Sequence, residues 1–379
     1  SSIFILIVTF FLIFKIGRSF KLNGYETTSI FCWHSIWALF FIVNDLYFFG
    51  TDSNSWYTRN EGFVSAPIQT LYGNTFMYSF TGLLKLLKIK YVAQHLLYNL
   101  LGTITLFIFY SKVRELCRYK VNKKFLLITM LVVFLPGLSF WSSGISKDTI
   151  SIFGFAALYF SVSNKFNLYL FLFSFLVIFF ARPFLCFFFF AGFFLYYFME
   201  LLLKKEKHFS KKFLNVMILI IMIIPLLFII NIGFSYMHMA EERAYYNIFE
   251  IIGVIIDFVN GSQEYYQYTH NGIPADTFIL VRYFYFLFMP ISFQYLGVFQ
   301  SYFVLENFFL IFIFFIMIKN IRFNQEGINK LTRIFYLSIF LCFLVMPIIF
   351  SNYGIALRYK WLMIPFLLLA ILDYRKKTK

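Results

Sequence analysis

A chain of 379 residues with 61% hydrophobic and only 13% charged side chains, and a mean hydropathy of +0.77, has too little polar surface to be a water-soluble globule. It reads as a polytopic membrane protein. The net charge of +16 does not call for nucleic acid, because the basic residues sit in short loops between apolar runs, where the positive-inside bias places them.

A membrane span needs roughly 20 apolar residues, and fewer where the helix ends in protein-lined water. In chain order the runs 3–16, 30–49, 92–110, 125–140, 150–162, 168–180, 185–203, 213–232, 303–318, 334–350 and 361–372 meet that test, which gives about eleven transmembrane helices. The first run follows no basic region and no A-x-A site, so it reads as a span and not as a cleaved signal. Cys32, Cys117, Cys186 and Cys342 are scattered without paired or metal-ligand spacing. The 59 Phe and 27 Tyr read as lipid-facing and packing surface.

Orientation follows from the loops. Lys112, Arg114, Arg118, Lys120, Lys123 and Lys124 form one basic loop. Lys204 to Lys212 form another, Lys319 to Arg333 a third, and Arg375 to Lys379 end the chain. These are predicted to be cytoplasmic. The outer side then holds 50–91, 141–149, 181–184, 231–301 and 351–360. The run 277–296 is apolar enough to span but is interrupted by Arg282 and broken by Pro290, so it is predicted to lie in or on the outer leaflet. Residues 77–87, interrupted by Lys85, read as a similar interfacial helix. The expected fold is all-α: a polytopic membrane helix bundle in a single integral membrane domain over 1–379, with amphipathic interfacial helices in the outer loops 50–91 and 231–301.

The charges on the outer side carry the functional reading. Lys147-Asp148 and Arg182-Pro183 stand at the mouths of apolar helices, where a charge in hydrocarbon costs several kcal/mol and must face water, protein or a charged ligand. Asp148 reads either as a helix-capping acid or as a reacting one, and Lys147 as a group that neutralises phosphate. Arg182 is either a snorkelling residue at a hairpin or a planar fork for a diphosphate. Arg282 and Arg358 add positive charge where topology does not ask for it. Asp45 and Asp52 open the first outer loop as candidate general bases or metal-side acids, with a solvated turn as the plain alternative. The second loop, with His238, Glu241, Glu242, Arg243, Asp257, Glu264, His270 and Asp276 among several tyrosines, suits sugar binding and an ordinary wet loop equally.

Several short segments together are similar to a known group: Leu97-Tyr98-Asn99-Leu100-Leu101-Gly102, Ser143-Gly144-Ile145-Ser146-Lys147-Asp148, Arg182-Pro183, Arg358-Tyr359 and the acid-bearing first loop. In order along the chain they resemble the multispanning C-type glycosyltransferases and the O-antigen and exopolysaccharide repeat-unit polymerases. The resemblance implies a polyprenyl-diphosphate-linked glycan as substrate, membrane lipids as surroundings, and action on the outer face of a bacterial inner membrane beside a flippase and a chain-length regulator. It implies Asp45 or Asp52 as base or metal-side acids, and Lys147, Arg182 and Arg358 as holders of the lipid-linked phosphate; by their place on the outer side Asp148 is a further candidate reacting acid and Arg282 a further candidate phosphate contact. The first loop has no D-x-D or E-x-D, and neither Arg182 nor Arg243 has Gly at the spacing of an Arg-x10-Gly motif. No metal or other cofactor is therefore assigned. A C-type transferase using a polyprenyl-phosphate sugar, and a flippase or transporter of lipid-linked sugars, remain the alternatives.

Overall fold

The computed structural model describes residues 2–47, 52–58, 72–116, 123–163, 165–203, 278–289, 301–320, 328–350 and 353–374. The predicted span 213–232, the charged and aromatic residues of the second outer loop from His238 to Asp276, Cys117, and the basic stretches 117–122, 204–212 and 375–379 lie outside the described residues.

Among the described residues every regular element is a helix, and there is no strand. In chain order they are α1 Ser2–Ser19, α2 Gly24–Tyr47, α3 Asp52–Thr58, α4 Asn74–Leu86, α5 Tyr91–Leu116, α6 Lys123–Leu131, α7 Pro136–Trp141, α8 Lys147–Ser163, α9 Leu168–Ala181, α10 Pro183–Leu203, α11 Ile279–Phe288, α12 Ser301–Asn320, α13 Lys330–Ile349 and α14 Tyr353–Tyr374. Among them, five helices are long and apolar enough to cross a membrane: α2, α5, α10, α13 and α14. Large apolar side chains such as Phe11, Leu39, Leu172, Phe312 and Phe315 cover the outside. Such a surface belongs in lipid. This is an all-α integral membrane protein.

The predicted run 125–140 is not one helix. α6 tightens into a 3-10 turn at Val132–Phe134, Leu135 is extended (φ −72°, ψ 133°), and α7 restarts at Pro136. Proline supplies no N–H and disfavours the helical conformation in the residue before it, so the break falls at Leu135. The run 277–296 also differs in detail. Only Ile279–Phe288 is described as helix, about 15 Å long, half of what a span requires. Its Phe278, Ile279, Leu280 and Val281 are exposed while Arg282 is buried, so its charge faces protein and its apolar side faces out.

α8 is the axis of the bundle. Nearly all its side chains from Asp148 to Val162 are buried, packed by α5, α9, α13 and α14. Short connections make successive helices antiparallel, so the joints α7–α8, α9–α10 and α13–α14 and the α2–α5 connection share one end, here the site end. At the far end the helices are capped by their own polar residues. Asn23 and Glu26 form a reciprocal capping box, Asn23 Oδ1 accepting from the Glu26 N–H at 2.8 Å and Glu26 Oε2 from the Asn23 N–H at 2.9 Å. Asn167 and Asn329 cap α9 and α13.

Candidate anion site at one end of the bundle

The turn between α7 and α8 is built by local hydrogen bonds. Ser146 Oγ accepts the Thr149 N–H at 3.0 Å and so caps α8. Thr149 Oγ1 donates to the Gly144 carbonyl at 2.7 Å, and the Ile145 N–H donates to His95 Nδ1 at 3.2 Å. His34 Nε2 and Ser142 Oγ lie 2.9 Å apart. α5 approaches this turn so closely that a Cβ at position 102 would run into the Ser142 carbonyl and lie 2.5 Å from His34 Cε1, so only glycine fits there. Held from beneath by α2 and α5, the turn delivers Lys147 and Asp148 in a defined direction.

Arg182 stands between α9 and α10 with an extended backbone (φ −153°, ψ 83°), as the following Pro183 requires. Its Nη2 donates to Asp148 Oδ1 at 2.5 Å. Its Nη1 donates to the Tyr359 hydroxyl, and the guanidinium lies 4.5 Å from the centre of that ring. Tyr359 is stacked on Phe350 at 4.9 Å. Arg358, the preceding residue, lays its guanidinium 4.7 Å from the centre of the Trp141 ring.

Lys147 completes the cluster. Its Nζ donates to Asn74 Oδ1 at 2.8 Å and lies 5.8 Å from the centre of the Trp56 ring. Burial, and then the neighbouring Arg182, lower its pKa to about 8, against the pull of Asp148 and Asp52. α3 is suspended over it: Thr81 Oγ1 donates to the Trp56 carbonyl at 2.9 Å and Lys85 Nζ to the Tyr57 carbonyl at 3.4 Å. Asp52, Trp56, Lys147, Asp148, Arg182 and Arg358 line one cavity of about 20 Å³, room for a single water.

Of the residues singled out in the sequence, Asp52, Asp148, Lys147, Arg182 and Arg358 meet in this cavity. Asp45 and Arg282 do not. Asp45 is buried on α2 and accepts a hydrogen bond from the Tyr91 hydroxyl. Arg282 is buried on α11, which packs on α12, α13 and α14. Trp56, Trp141, Tyr359 and Asn74 join the cluster, and of these only Tyr359 adjoins one of its basic residues in the sequence. Glu306 and Lys360, both buried, were also passed over. Their signal was present, since an acid inside the apolar run 303–318 needs a partner. Among the described residues no three His, Cys, Asp or Glu side chains come together as a metal site.

Three cations thus surround two carboxylates, one of which, Asp148, is already tied to Arg182 at 2.5 Å. The remaining positive charge is partly desolvated and edged by aromatic rings, an arrangement suited to an oxyanion carrying a bulky apolar or sugar substituent. Comparison with family models, with curated proteins and with solved structures found no match.

Proposed function

We propose that this chain is a membrane glycosyltransferase of the polymerase type, which joins polyprenyl-diphosphate-linked oligosaccharide repeat units on the outer face of a bacterial inner membrane. In this reading the bundle crosses the bilayer about eleven times. The observation that supports it is the convergence of Lys147, Arg182 and Arg358 with Asp52 and Asp148 in one cavity at the end of the bundle. The reaction forms a bond from an acceptor hydroxyl oxygen to the anomeric carbon of the donor and breaks the bond from that carbon to the diphosphate oxygen. The departing diphosphate gains negative charge in the transition state, which Arg182, Arg358 and Lys147 stabilise. The acceptor hydroxyl loses a proton, and Asp52, which opens α3 at the cavity rim, takes it. Asp148 serves as an orienting group, because its charge is committed to Arg182.

The near balance of the cavity, three cations to two carboxylates, also fits a single phosphate, and so supports a second reading: a C-type transferase using a polyprenyl-phosphate sugar. Lipid-linked glycans from a deletion strain separate the readings. Accumulated single repeats support the polymerase, a truncated repeat supports the transferase, and complete repeats retained on the inner leaflet identify a flippase and overturn both.

A further inference from the structure

α14 begins with residues that face opposite ways. At roughly 100° per residue, positions 358 and 360 lie on opposing sides of a helix. Arg358 and Tyr359 address Trp141 and Arg182, whereas Lys360 is wholly buried on the other side. Lys360 Nζ donates to Asn307 Oδ1 of α12 at 2.5 Å and to the Leu287 carbonyl of α11 at 3.5 Å. Glu306, next to Asn307, turns its carboxylate to α7 and accepts the Gly137 N–H at 2.9 and 3.0 Å on its two oxygens. The opposite charges of Glu306 and Lys360 attract across this space. Gly137 is the contact point: a Cβ there would strike the Glu306 carboxylate and lie 2.5 Å from Trp361 Nε1.

Apolar side chains of equal volume would hold these helices together at least as firmly, since buried charges add little net stability. Charge and hydrogen bonding add direction. Lys360 is fixed to acceptors on two different helices, so α14 cannot rotate about its axis without losing both. Glu306 likewise fixes the start of α7, whose last residue, Trp141, is the platform under Arg358. We propose that Glu306 and Lys360 are positioning residues that set the rotation of α14 and the seat of α7, and so aim Arg358 and Tyr359 at the anion cavity. This rests on the anion-site reading above.

The test uses the full chain in lipid nanodiscs, with inorganic diphosphate as probe, affinity read by calorimetry and folding by thermal unfolding. Lys360→Met leaves Glu306 uncompensated and is expected to lower Tm and to weaken diphosphate binding by about 10- to 100-fold, the scale of a small misplacement of binding groups. The deciding variant is Glu306→Gln with Lys360→Met. It leaves no unpaired charge and still offers Gly137 an acceptor, so its Tm should return near that of the parent while the affinity loss persists. Parent-like affinity in the double variant overturns the positioning role alone, provided that the parent binds diphosphate and Arg358→Ala does not. A parent chain that does not bind diphosphate removes the anion-site reading, and this inference with it.

Discussion

Two polar clusters lie at opposite ends of α8, and they meet their charges differently. At the far end the Tyr159 and Tyr336 hydroxyls are 3.2 Å apart, and Tyr336 donates to Asp373. There Asn329 Nδ2 and Thr332 Oγ1 also take up the Val162 carbonyl at 2.8 and 3.1 Å. These contacts knot α8, α13 and α14 together. At the site end three cations share two carboxylates beside a cavity. Buried polarity alone therefore does not mark a functional site, because partnered groups at the far end serve packing. An excess of one sign beside a cavity is what makes the site end the candidate.

The largest expected effect is that of Arg182→Ala. It strands Asp148, which is 2% exposed, and removing one member of a buried pair costs about 3–5 kcal/mol. Thermal unfolding should show that loss, and glycan gels should show no polymer. Replacing Arg182 by Met and Asp148 by Leu together should recover most of the stability and none of the product. Polymer made by the double variant would place the site end in the same class as the far end.

Asp52→Asn comes next. It keeps size and hydrogen bonding but removes the charge, so turnover should fall roughly 10²-fold while diphosphate affinity and Tm stay close to those of the parent. Asp148→Asn should instead lose stability or affinity before turnover. Parent-like turnover in Asp52→Asn would move the proton acceptor elsewhere.

Lys147 gives a smaller, pH-dependent signature. Its pKa is lowered to about 8, so diphosphate affinity should decline as pH rises through that value, and Lys147→Arg should flatten the profile. Stability runs the other way. Between pH 8 and the ordinary lysine value of 10.5 the unfolded chain binds more protons than the folded one, so this residue's penalty on folding is full below pH 8 and is relieved as pH rises. A flat affinity profile in the parent would remove Lys147 from the site. The smallest effect is the control at the far end: Tyr336→Phe should cost about 1 kcal/mol of stability and leave product unchanged.

The sequence disclosed the helices because hydrocarbon imposes one crude requirement, a long apolar run, which α2, α5, α10, α13 and α14 meet plainly. It disclosed the cationic residues because charge at a span's end is rare and needs a reason. The convergence of Lys147, Arg182 and Arg358 is legible too, since antiparallel neighbours place alternate joints together, whereas Arg282, expected with them, lies outside the cavity. What it hid depends on contacts between distant residues. The stacking of Arg358 on Trp141 and the tie from Lys360 to Asn307 have no periodic signature. The partner of Asp45 is hidden as well, because an acid at a helix end looks the same whether it faces a cavity or a tyrosine hydroxyl. The break at Leu135 was announced by Pro136 but overridden by the apolar character around it.

The cavity under α3 has room for about one water, whereas the sugar diphosphate of the proposed function is many times larger. On that proposal α3, which hangs from α4 by the Thr81 and Lys85 contacts to its carbonyls, has to shift for such a ligand to enter. Were the open form populated at about one part in a hundred, the apparent dissociation constant would be about 100-fold weaker than the intrinsic one. Association would then be paced by opening and not by diffusion. Loosening the tether should quicken ligand capture without touching any group that holds the anion.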